Sequence, residues 1–136
     1  MLLYDENLQQ LSEAQIAALK QELLTGLDTI AVPEQQELES DLADYYVQAD
    51  AQEKGLYQME SLAYKAANMG ETIFERIRKF ICGFLAADST ASDIIDKILE
   101  AIASIIPGGI IIKWIVKKLV KYILNIGYQA LCPTGN

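Results

Sequence analysis

The stretch 91–130 constrains the fold most, because two isoleucine-rich segments meet there at Pro107-Gly108-Gly109, a tripeptide that cannot continue a helix. On the first segment, 91–106, Asp93, Asp96, Lys97, Glu100 and Ser104 make one narrow polar stripe, and Ile94, Ile95, Ile98, Leu99, Ile102, Ile105 and Ile106 cover the rest. A helix of that kind requires apolar neighbours on most sides. The second segment, 110–130, sets Lys113, Lys117, Lys118 and Lys121 within an arc of about 140° at helical spacing. Ile112, Ile115, Val116, Leu119, Val120, Ile123 and Ile126 lie opposite. Together the segments predict an apolar helical hairpin with a basic outer strip and a tip at Pro107, Gly108 and Gly109.

Upstream, apolar positions recur at alternating spacings of four and three through Leu38, Leu42, Tyr45, Ala49, Leu56, Met59, Ala63, Ala66, Ile73, Ile77, Phe80 and Phe84, with Gln52 and Gly70 as the exceptions. That pattern predicts a heptad-patterned helix over about 34–86, opening at Pro33, where a first turn accepts proline. Gly55 and Gly70 are candidate breaks, since each costs up to about 1 kcal/mol inside a helix; the alternative is two or three shorter helices folded on themselves. Ser12 with Gln15 forms a capping-box signature ahead of a helix over 13–25, and Thr90 with Asp93 forms another ahead of 91–106. No run of alternating β-branched residues with hairpin turns occurs, so the fold class is all-α: one helical domain over 1–136, acidic across 1–70 and apolar with local positive charge across 71–136.

Charge divides the chain. Residues 1–70 carry 13 Asp/Glu against 3 Lys/Arg, net −10, and residues 71–136 carry 6 against 8, net +2, giving −8 overall. The halves attract each other, and the acidic total argues against nucleic acid. The chain has no histidine, no Gly-rich phosphate loop and no nucleophile elbow. Neither a catalytic nor a metal site nor a cofactor is therefore expected, and Glu37, Glu39, Asp41 and Asp44 read as the solvated face of an acidic helix. Tyr45, Tyr46 and Tyr57 read as packing residues. Met1-Leu2-Leu3-Tyr4-Asp5-Glu6 offers no Sec-type leader, which leaves the cytoplasm, another export route and membrane association open. Uncharged stretches of 12 and 15 residues, 101–112 and 122–136, fall short of a spanning helix. Cys82 and Cys132 lie 50 residues apart; helix directions would bring them to one end of the molecule, so a disulfide is feasible, and unlinked thiols in a reducing compartment are the alternative.

Two functional readings follow. In the first, the hairpin is membrane-active: Ile110, Ile111, Lys113, Trp114, Lys117, Lys118, Lys121 and Tyr122 suit an anionic lipid interface, and Trp114, the sole tryptophan, falls among the lysines. This two-helix unit resembles in outline the amphipathic helices of helical pore-forming toxins and bacteriocins. The resemblance implies a small pore-forming or toxin-like effector; the charge split and the polar break at 87–92 predict a hairpin kept soluble by the acidic half that swings out there. The resemblance carries over no functional residue. In the second reading the protein is non-enzymatic and assembles, as a homo-oligomer or with a helical partner, through a seam of Leu38, Leu42, Tyr45, Leu56, Met59, Ile73 and Ile77. The blandest account of the same hairpin is a bundle core with solvated lysines.

Overall fold

Ser12 opens the first helix, α1 (Glu13–Thr25): its Oγ accepts from the Gln15 N–H at 3.1 Å, and Gln15 Oε1 accepts from the Ser12 N–H at 2.8 Å. The reciprocal bonds satisfy two of the donors that a helix start leaves unpaired. These coordinates are a computed structural model that describes residues 2–54 and 69–133, and the fold they define is an all-α bundle. After a 3-10 turn (Leu27–Thr29) come α2 (Gln35–Lys54), α3 (Met69–Cys82), α4 (Ala91–Ile105), a second 3-10 turn (Pro107–Gly109) and α5 (Lys113–Leu131). Thr90 repeats the capping box at the start of α4, where Asp93 N–H donates to Thr90 Oγ1 and Thr90 N–H to Asp93 Oδ2.

Among the described residues, the heptad seam is closed within the chain. Helices α2 and α3 pack side by side, and Leu38, Leu42, Tyr45 and Ala49 from one share a single core with Ile73 and Ile77 from the other. An unbroken rod would hold residues 38 and 77 about 60 Å apart, so the shorter-helix alternative is the observed one. Helix α3 runs through Gly70 without interruption, and Phe84 lies beyond its end, 61% exposed. Leu56, Met59, Tyr57 and the candidate break at Gly55 lie outside the described residues.

The hairpin halves pack on different partners. Helix α4 lies chiefly on α3 and α1, burying Ile94, Ile95, Ile98, Leu99 and Ile102, whereas α5 lies chiefly on α2, burying Ile115, Val116, Leu119, Val120 and Ile123. Burial of each such side chain contributes roughly 1.5–3 kcal/mol.

The start of the last helix also differs from the sequence reading. Ile110–Ile112 are extended rather than helical, because the N-terminal arm takes their backbone groups. Tyr4 N–H donates to the Gly109 carbonyl at 2.9 Å, and the Tyr4 carbonyl accepts from Ile111 N–H at 2.8 Å. From the other side the buried Tyr45 hydroxyl donates to the Ile110 carbonyl and accepts from Ile112 N–H at 3.3 Å. Residues that pair outward in this way cannot make the i→i−4 bonds of a helix.

Candidate functional site

The basic strip on α5 is built as helical spacing dictates. Lys113, Lys117, Lys118 and Lys121 line one edge, and their aliphatic stems flank the buried isoleucine, valine and leucine face. Trp114 stands among them, 50% exposed, with Lys118 Nζ 5.2 Å from its ring centroid. This cation–π contact holds the indole at the surface.

What meets the strip is acidic and comes from the first half of the chain. Lys118 Nζ lies 2.8 Å from both Glu37 Oε2 and Asp41 Oδ2 on α2. Glu22 at the end of α1 divides its two carboxylate oxygens between Lys117, at 3.4 Å, and Lys113, at 3.5 Å. The hydrogen bonds that Lys118 donates, to Asp41 first and then to Glu37, hold its ammonium above the ordinary lysine range. Tyr122 closes the strip: its hydroxyl donates to Gln35 Oε1 at 3.0 Å, and its ring meets Phe74 edge-on at a centroid distance of 5.8 Å. Burial, then the charge of Glu39, pushes that phenol up. A fifth long-range pair, Lys20 with Asp96 at 2.7 Å, ties α1 to α4.

Two open clefts share the Trp114 ring as a wall. One, of about 550 Å³, has Leu11, Ala18, Leu19 and Ile112 on its lining; the other, of about 400 Å³, is bounded by Ile30, Val32 and Pro33. Val32 is 43% exposed, so Trp114 and Val32 together put apolar surface beside the lysines.

The structure thus gathers Lys113, Trp114, Lys117, Lys118, Lys121 and Tyr122 on one face and separates the remaining predicted residues from it. Ile110 and Ile111 are buried under the N-terminal arm at 1% and 4% exposure, out of reach of any lipid in this conformation. The hairpin tip is docked at one residue: Gly109 is buried against the arm, Pro107 is half-buried and Gly108 is exposed. Of the seam residues, Leu38, Leu42, Tyr45, Ile73 and Ile77 are interior. Cys82 and Cys132 are joined in a disulfide with Cα atoms 5.8 Å apart.

Sequence reasoning did not single out Glu22, the arm at residues 2–11, or the Tyr45 hydroxyl. Glu22 had a usable signal in its acidic half; the arm had only the apolar Leu2-Leu3-Tyr4 start. No described helix is long and apolar enough to cross a membrane, and no group of three or more His, Cys, Asp or Glu among the described residues could hold a metal ion. Compared with protein-family models, with curated proteins and with solved structures, the chain matches none.

Proposed function

We propose that the protein is a latent membrane-binding protein whose α5 face engages an anionic lipid surface when its internal acidic partners are displaced. One observation carries this reading: Lys113, Lys117 and Lys118 are each paired with a carboxylate from the first half of the chain, so Glu22, Glu37 and Asp41 occupy the places that lipid phosphates would take. The pairs are partly exposed, and exposed pairs contribute about 0–1 kcal/mol each, so a dense anionic surface can compete for the lysines. Trp114 beside them supplies an interfacial anchor with an apolar ring and a polar N–H. The helix would lie in the interface plane rather than cross it, which matches its charge and its apolar opposite face. Self-association through the heptad seam has less support, because the described seam residues are already spent on the core.

Trp114 reports the test directly. Anionic vesicles should shift its emission to the blue and release trapped dye within the range of about pH 4.5 to 7.5. Zwitterionic vesicles should do neither. An unchanged spectrum with intact anionic vesicles across that range removes the reading.

A further inference from the structure

Helix α5 is clamped at both ends. At its start, Gly109–Ile112 are held between Tyr4 and the Tyr45 hydroxyl. At its finish, Cys132 is bonded to Cys82, the last residue of α3. Between the clamps, α5 rests first on α2, with smaller contacts to α4 and α3, whereas α4 packs chiefly on α3 and α1. The disulfide is thus the covalent tie that fixes the far end of the lysine-bearing helix to α3, which is itself packed on α2 and α4.

The final turn of α5 is a separate piece. Gly127 has φ +81° and ψ 167°, a conformation open essentially to glycine alone, and it interrupts the helix before Tyr128–Leu131. Besides the disulfide, that turn is fastened by two contacts, the second of them braced from within α3. Leu131 is buried, its carbonyl accepts from Arg78 Nη1 at 3.4 Å, and Arg78 is itself steadied by Glu75 at 2.8 Å. Both cysteines are interior, so exchange at their sulfurs requires this turn to lift. The Gly127 break allows it to lift without unwinding the rest of the helix.

From this arrangement we infer that the Cys82–Cys132 disulfide is a redox latch on α5: oxidised, it holds the basic face against α2; reduced, it lets α5 peel from its Cys132 end while α1–α4 keep their packing. The membrane role of the peeled helix rests on the function proposed above; the latch itself does not. The reductant is a dithiol. One of its thiolates attacks the Cys132 sulfur and expels the Cys82 thiolate, which takes up a proton. Its second thiol then attacks the mixed disulfide, Cys132 leaves as a thiolate and is protonated, and the reductant ends as a cyclic disulfide, two electrons having passed to the protein.

The experiment uses the full chain, oxidised or treated with dithiothreitol, in two parallel measurements. In buffer, amide hydrogen exchange should speed up in residues 113–131 by about tenfold or more on reduction, as expected when a crosslink over a loop of this length is opened, while α4 keeps its protection. With dye-loaded anionic vesicles, reduction should raise the leakage rate by a similar factor. A Cys82→Ser/Cys132→Ser variant should behave as reduced protein with or without dithiothreitol. Equal exchange in α5 before and after reduction overturns the latch, and so does loss of protection in α1–α4 together with α5, which would make the bond a staple of the whole fold. Equal leakage by both forms overturns the redox control of lipid engagement while leaving the membrane reading intact. If no form perturbs vesicles, the membrane reading fails, and the exchange data alone decide the latch.

Discussion

Tyr45 shows how one side chain can serve two purposes. Its ring fills a heptad position in the core, and its hydroxyl ties the Ile110 carbonyl to the Ile112 N–H, satisfying two backbone groups that the break before α5 would leave unpaired. Removing only the oxygen leaves a buried donor and a buried acceptor without it, which costs about 1–3 kcal/mol. Tyr45→Phe should therefore lower the unfolding free energy by that amount, seen as a lower urea midpoint with an unchanged slope; a midpoint equal to wild type would mean that the bridge contributes nothing. Gly109 makes a second prediction at this scale. Its φ is +63°, and an added Cβ would stand 2.7 Å from the Leu2 carbonyl oxygen. Gly109→Ala should destabilise by about 1–3 kcal/mol, and it should do so by dislodging the arm, visible as faster amide exchange at Tyr4 and Ile111. Loss of stability with both amides still protected would place the strain elsewhere.

Element by element, what the sequence made legible is what local chemistry decides. The capping boxes at Ser12 and Thr90 gave the starts of α1 and α4 to the residue, because a side chain that bonds the third backbone N–H fixes a boundary from within one turn. The lysine strip and its opposite apolar face were legible too, since 3.6-residue periodicity is local. Long-range matters were not. The heptad pattern has the same spacing whether it faces another chain or another part of its own, so Leu38 and Ile77 could not reveal that they share one core. The start of α5 was misplaced by three residues because a partner 105 or more positions away, Tyr4, claims the Gly109 and Ile111 backbone. Periodicity also places Lys118 on the strip but is silent on Glu37 and Asp41 as its partners. The energetic contrast between edge and face is testable on α5 itself. Lys118→Ala removes partly exposed ion pairs and should cost under about 1 kcal/mol, whereas Leu119→Ala, one residue along and fully buried, should cost about 2–5 kcal/mol. Equal costs in urea denaturation would show that the acidic partners hold the helix as firmly as the core does.

For the whole molecule, the shifted groups give stability a definite dependence on pH. Burial raises the Tyr45 phenol well above its usual value of 10.0, and burial with the Glu39 charge raises Tyr122. The carboxylates of Asp41 and Glu37 raise Lys118 above 10.5. A folded-state pKa above the unfolded one means that the folded form binds the proton more tightly, so each contribution is complete below the unfolded pKa and is lost as pH climbs towards and through the folded one. All three groups therefore act with the same sign, and stability should hold between about pH 7 and 9 and decline from about pH 10 upward. At the other limb, the hydrogen bond from Arg78 holds Glu75 below 4.5, so its contribution is present above that value and is lost as pH falls through the lowered one. The alkaline limb is the sharper test, because its largest shift belongs to a single buried phenol. Urea midpoints measured at pH 7, 9, 10.5 and 11.5 should fall over the last two points for wild type and fall less for Tyr45→Phe, which starts lower but has no phenol to ionise there. Parallel curves for the two proteins would show that Tyr45 ionises in the fold as readily as in the unfolded chain, and its enclosure between α2 and the residues ahead of α5 would then have to open at a pH where the rest of the bundle is intact.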